Sequence, residues 1–185
     1  MVLGLLTPSS GRATVDGVDI HENLRGWQGQ IGYVPQSIFL TDDTLRRNVA
    51  VGLPESQIDD AAVRRALQAA RLEEFVASLP AGADTVVGER GVQLSGGQRQ
   101  RAGIARALYH DPRVLVLDEA TSSLDSSTEQ GVMDAVRTLQ GQKTLLIVAH
   151  RLSTVADCDT LFKLDHGRLV AEGSFEKVTG ITGTQ

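Results

Sequence analysis

Val114-Leu115-Val116-Leu117-Asp118-Glu119 is a run of four apolar residues that ends in two carboxylates. Four successive apolar residues with no polar alternate fit a strand covered on both faces, as in parallel sheets with helices packed on either side. A second run of this kind, Leu145-Leu146-Ile147-Val148, follows, and between them Ser126–Gln140 sets Val132, Val136 and Leu139 on one helical stripe. Strand, helix, strand is a βαβ unit, so the reading is an α/β fold with a parallel sheet. Ligands of such sheets bind beyond the carboxyl ends of the strands, where Asp118 and Glu119 stand.

Working outward, Ile31–Val34 reads as a short strand stopped by Pro35, and Gly11–Val18 as a hairpin-like pair around Asp16-Gly17. From Thr44 to Tyr109 the pattern is helical, with Ile58, Ala62, Ala66, Leu67 and Ala70 at helical spacing and no strand signal of any strength. This is read as a helical insert. Past the βαβ unit, Thr160–Leu164 and Arg168–Glu172 flank the turn His166-Gly167, and a last short helix starts at Ser174. Met1–Leu6 lacks the charge and apolar length of a signal peptide, and reads as the tail of a helix already under way.

With 185 residues, 41% of them hydrophobic and 22% charged, the chain can bury one substantial core. Its net charge of -5, with the two signs interspersed, offers no basic face for nucleic acid. The single cysteine, Cys158, excludes an internal disulfide and fits a reducing cytoplasm. The longest apolar runs fall far short of the ~20 residues needed to cross a bilayer.

The residues with the most chemistry are Leu94-Ser95-Gly96-Gly97-Gln98, followed by Arg99-Gln100-Arg101 and a helix-compatible run. Two adjacent glycines admit an anion close to backbone N–H groups, Ser95 adds a hydroxyl, and a helix N-terminus adds its positive end. Ser95 and Gln98 also have capping-box spacing, and the two roles are compatible. Asp118 suits a Mg²⁺ shell, and Glu119 suits polarising a water for attack on a phosphoryl group. His150 closes the neighbouring strand and should emerge at the same sheet edge, where an imidazole holds a phosphate or a water. Gln36 follows Pro35 in a loop from which a neutral amide reaches a metal or a water. Asp125 precedes a second apparent capping box, Ser126 to Glu129, and is helix punctuation as readily as function.

In this order, the residues resemble the ATP-binding cassette (ABC) ATPases: a Q-loop at Gln36, a signature at Leu94–Gln98, a Walker B strand Val114–Asp118 with Glu119, a D-loop at Ser123-Leu124-Asp125 and an H-loop at His150. Gly32–Gln36, Val87–Gly91 and Ala149–Thr154 are similar to the exporter branch. The resemblance covers nearly the whole chain. It implies a P-loop NTPase (RecA-like) core over 1–36 and 111–185, N-terminally incomplete, with a helical signature subdomain over 37–110. It also implies ATP and Mg²⁺, a dimer of nucleotide-binding domains sandwiching two ATP molecules, and membrane-spanning partner domains that hold the cassette at the cytoplasmic face of the membrane. Ser95, Gly96, Gly97 and Gln98 would bind ATP across the dimer interface and Asp125 would face the partner. Glu119, His150 and Gln36 would act catalytically within their own subunit, with Asp118 and Gln36 at the metal. Gln36 and Glu89 would lie at the interface with the membrane domain.

The sequence departs from the family's pattern in two parts, the P-loop and the aromatic residue that stacks on adenine farther upstream, neither of which is found in it. A P-loop needs Gly-Lys-Ser/Thr, and the only lysines, Lys143, Lys163 and Lys177, each follow a residue other than glycine. Val2–Leu6 matches the end of the helix that follows the P-loop, so this stretch of chain is expected to hydrolyse ATP negligibly alone. Two alternatives stand beside the exporter engine. A non-transport ABC ATPase would carry long coiled-coil inserts or paired cassettes, and neither is seen; a non-catalytic cassette would lend its signature in trans.

Overall fold

The computed structural model describes residues 1–89 and 91–181. Asp16 and Gly17 both take positive φ, 51° and 83°, the geometry of a tight hairpin turn. The flanking strands, β1 (Thr14–Val15) and β2 (Val18–Asp19), pair antiparallel. Helix α1 (Leu24–Gln28) is capped by Asn23 and buries Trp27, whose indole N–H donates to Val2 O at 2.8 Å. Residues 1–6, expected as a helix tail, instead form turns: Gly4 has φ of 70° and its N–H donates to Met1 O. Gly4 in the left-handed conformation and Pro8 after it both work against a continuing helix.

Strand β3 (Ile31–Val34) follows, then β4 (Asp43–Thr44) and α2 (Leu45–Val49), which the Thr44 hydroxyl caps. Helices α3 (Asp60–Ala69, capped by Asp59) and α4 (Glu73–Ser78) continue the helical stretch. The expectation of helix alone fails at β5 (Val86–Val87), which pairs antiparallel with β4. The ladder is two residues long, too short to show as a period, and the β-branched Val86-Val87 is its sole local signal. The 13-residue α5 (Gly96–Leu108) ends the insert. Arg106 on α5, half-buried, ties the insert together by donating to Asn48 O at 2.8 Å and Phe39 O at 3.0 Å.

The βαβ unit is β6 (Val114–Asp118), α6 (Ser126–Arg137) and β7 (Thr144–Val148). The sheet order is β3-β6-β7, all parallel, with Val34 level with Leu117 and Asp118 level with Val148. Central β6 is buried at Leu115, Val116 and Leu117, as its apolar run requires. β7 departs from that reading: Leu146 is 37% and Val148 46% exposed. Among the described residues β7 pairs only with β6, so it is an edge strand with one face open. Short α7 (Leu152–Val155) leads to the antiparallel hairpin of β8 (Leu161–Asp165) and β9 (Arg168–Gly173) and to α8 (Phe175–Thr179), capped by Ser174.

One core joins insert and sheet. Leu45, Val49, Leu67, Leu72 and Ile104 from the helices pack in the same cluster as Val34, Leu115, Leu117, Val132 and Val136. Helix α5 lies so close to β3 that a Cβ on Gly32 would come within 2.5 Å of Ala107 O. That contact sets the C-terminal end of α5 beside the start of β3, while Gln100 in the N-terminal half donates to Pro35 O just past the end of that strand.

Candidate functional site

Parallel alignment of β3, β6 and β7 delivers the residues after each strand to one sheet edge. Gln36 comes from the first, Asp118 and Glu119 from the second, and His150 from the third. They meet at Glu119. Gln36 Nε2 donates to Glu119 Oε2 at 3.0 Å and to Ser122 Oγ at 3.1 Å. His150 Nε2 lies 2.9 Å from Glu119 Oε1, so the tautomer protonated there donates to the second carboxylate oxygen. The imidazole is 81% exposed, whereas the Glu119 side chain is 26% exposed. Glu119 also sits at φ of 48°, a left-handed conformation uncommon for a residue with a side chain. Its N–H donates to Val148 O and its carbonyl accepts from Ser122 N–H, which hold that conformation in place.

Asp118, half-buried, accepts at Oδ2 from the Tyr33 hydroxyl at 3.0 Å. Burial and the neighbouring carboxylate push the Tyr33 phenol above its ordinary range, so it remains a donor. Tyr33 on β3 was not anticipated as a site residue; it pairs with Val116, two residues before Asp118.

The glycine pair is placed at the N-terminus of α5. Ser95 is the N-cap: its Oγ accepts from Gln98 N at 3.3 Å, and the Gln98 side chain accepts from Ser95 N at 2.9 Å, a complete capping box. The cap occupies the Gln98 N–H and the Ser95 hydroxyl oxygen, and a helix N-terminus of this kind suits an anion. Ser95 and Gly96 are exposed, and Gly97 is buried against α6. These residues form a second cluster, bonded to each other and not to Glu119.

Asp125 is the N-cap of α6, with Oδ1 accepting from Ser127 N and Thr128 N and Oδ2 from the Thr128 hydroxyl at 2.6 Å. The hydroxyls of Ser127 and Thr128, with the backbone N–H groups, hold its carboxyl well below the usual carboxylate range. The expected capping box of Ser126 and Glu129 is not formed. Glu129 turns inward instead, 6% exposed, and accepts from Thr121, Thr154 and Arg151. Arg151 and Glu129 are the main functional candidates that residue spacing missed; the available signal was a charged residue at position 129 on the apolar stripe of Val132, Met133 and Val136. Glu89 lies in the β5–α5 connection; Arg90, beside it, is outside the described residues.

A loop-borne carboxylate between an amide and an imidazole, beside a second carboxylate and apart from a glycine-led helix N-terminus, is an arrangement suited to phosphoryl chemistry. The family model described as "ABC transporter" matches residues 1–122. The chain belongs to that family. It is an exporter-type ABC nucleotide-binding domain by its relatives as well. It is 47% identical over 178 residues to the ATP-dependent lipid A-core flippase of Cupriavidus pinatubonensis, covering 95% of this chain and 30% of the flippase. It is 41% identical over 175 residues to ABC transporter ATM1 of Toxoplasma gondii, covering 94% of this chain and 15% of that protein. A solved bacterial Atm1-family ABC exporter with ATP bound superposes with a TM-score of 0.82 at 40% identity, over 97% of this chain and 31% of that one. The domain thus spans less than a third of the length of each of these proteins. Among its described residues, no helix is long and apolar enough to cross a membrane.

Proposed function

We propose that the domain is part of the ATP-hydrolysing engine of an ABC exporter, working at the cytoplasmic face of the membrane beneath membrane-spanning partner domains. In this reading two nucleotide-binding domains close on two ATP molecules. Glu119 orients the attacking water, His150 contacts the γ-phosphate, and Gln36 reports on the site from its loop. Ser95, Gly96, Gly97 and Gln98 complete the nucleotide site of the partner domain, with Asp125 facing that partner. The observation that carries the reading is the convergence of Gln36 and His150 on the two oxygens of Glu119.

The donor set fits Mg²⁺: adjacent carboxylates and an amide oxygen are the hard ligands this ion takes, usually with only one or two carboxylates from the protein. Asp118 and Gln36 would hold it, and Tyr33 engages only one Asp118 oxygen. When bound, the ion supplies charge neutralisation at the phosphate oxygens. Glu119, doubly hydrogen-bonded, stays an acceptor toward a water.

The test is ATP hydrolysis by the full-length coding product that carries these residues. Glu119→Gln is expected to lower kcat by about a hundredfold or more, the ordinary worth of a positioned base. Unchanged turnover would refute the assignment. A second reading rests on the fully formed signature cap alone: the 185-residue chain lends that signature in trans. Added to an intact cassette, the chain should then raise the cassette's rate, and Ser95→Ala should abolish the increase.

A further inference from the structure

Glu129 is a carboxylate on the buried stripe of α6, and a charge there is costly unless each lone pair finds a donor. Oε1 accepts from Thr121 Oγ1 at 3.1 Å and Thr154 Oγ1 at 2.7 Å, and Oε2 accepts from Arg151 Nη1 at 2.7 Å. Burial raises its pKa, but the donors from Thr154, Arg151 and Thr121 outweigh that effect and hold it below the ordinary value, so the group is a true anion.

Arg151 does more than neutralise it. Nη1 also donates to Leu124 O at 2.9 Å and Nη2 to Ser122 O at 3.3 Å. The guanidinium therefore clamps the β6–α6 loop from the residue next to His150. That loop and the first turn of α6 are packed in turn against the signature: a Cβ on Gly96 would lie 3.1 Å from Leu124 Cδ2 in the loop, and one on Gly97 2.5 Å from Thr128 Cγ2 in the helix. A chain of contacts runs from Gly96 through Leu124 to Arg151, which is bonded in sequence to His150, the partner of Glu119.

We infer that Arg151, anchored by Glu129, is a positioning residue that couples the signature end of α5 to the Glu119–His150 pair of the same chain. The inference rests on the function proposed above, in which these two ends serve different nucleotides, so the clamp links one ATP site to the other. A guanidinium is required because its planar fork serves a carboxylate and two carbonyls together, which an ammonium on a single stem does not.

The experiment uses the full-length coding product with its nucleotide-binding partner, and reads steady-state ATP hydrolysis beside thermal unfolding. Arg151→Met should lower kcat by about tenfold with KM for ATP changed by less than about threefold, the split that marks lost transition-state positioning. It should also lower the melting temperature, because Glu129 loses its counter-charge. The double variant Arg151→Met/Glu129→Gln removes both charges and should recover most of the melting temperature without recovering kcat. Arg151→Lys keeps the charge and should melt near the wild type while kcat stays low; it carries the test if Arg151→Met does not fold.

A double variant whose kcat returns together with its stability would make Arg151 an ion-pair partner only, and would overturn the coupling. Wild-type kcat in Arg151→Lys would overturn it equally. Glu119→Gln and Ser95→Ala, run alongside, separate the two levels of the argument. If neither lowers hydrolysis, the ATPase reading falls; if both do and Arg151→Met does not, only the coupling falls.

Discussion

Gly97 has two independent reasons to lack a side chain, and a double-mutant cycle separates them. A Cβ there would stand 2.5 Å from Thr128 Cγ2, well inside the ~3.5–4.0 Å of carbon–carbon contact. Thr128 is not free to turn away, because its hydroxyl donates to Asp125 Oδ2 at 2.6 Å and its N–H to Oδ1 at 3.0 Å. Gly97→Ala must therefore break that hydrogen bond or push α6 from α5, an overpacking cost of about 1–3 kcal/mol. Better helix propensity offsets at most about 1 kcal/mol of it. Thr128→Ser deletes Cγ2 and keeps the hydroxyl on Asp125, so adding it should restore most of the loss. The measurement is urea unfolding of the chain followed by the fluorescence of Trp27, its single tryptophan. The expected interaction energy is about 1 kcal/mol or more, and additive free energies would refute the packing argument. Hydrolysis in the full-length product should stay low in the double variant, since the methyl still stands among the first-turn N–H groups. Hydrolysis restored along with stability would mean that Gly97 serves packing alone.

Other outcomes are expected from the same geometry. Because Glu129 titrates below its ordinary 4.5 in the folded chain, its contribution to stability is fully present above that pH and is lost as pH falls through the folded value. The gap in unfolding midpoint between wild type and Glu129→Gln should therefore narrow on acidification, and a gap that widens would contradict the sign. Ile104→Ala, at a fully buried position where insert and sheet meet, should cost about 2–5 kcal/mol in urea unfolding. Gly32→Ala should destabilise by about 1–3 kcal/mol, because the nearest atom to the new Cβ is the backbone oxygen of Ala107, with Pro112 and Leu115 close behind. Gly131→Ala, in α6 with nothing within 4 Å of the new Cβ, should stabilise by about 0.5–1 kcal/mol.

Strands β6 and β7 were legible because each shows as an apolar run bounded by polar residues, and α6 because Val132, Val136 and Leu139 keep a helical period. The cap at Ser95 was legible because it is local: two side chains three residues apart bond each other's backbone whatever else the chain does. The fold was illegible where distant segments decide. Val86-Val87 is a strand only because Asp43-Thr44 lies beside it. Leu146 and Val148 look like core in sequence, but their exposure depends on what covers β7, which no local pattern encodes.

The misreading at Glu129 has a sharper cause. Asp and Ser are nearly equal as N-caps, so Asp125 and Ser126 compete to start α6, and the two frames differ by one residue. With Ser126 as the cap, Glu129 stands three residues on and reaches back to close a box. With Asp125 as the cap, it falls one place later, and Thr128 takes the position beside the cap. The stripe of positions 129, 132, 133 and 136 turns Glu129 toward the core whichever residue caps the helix, because i, i+3, i+4 and i+7 face one way and the other three are buried apolar residues. A carboxylate forced onto that face must find donors from other segments. Thr121, Arg151 and Thr154 supply them, and so the buried face of α6, not its cap, determines which residues hold the loop beside Glu119.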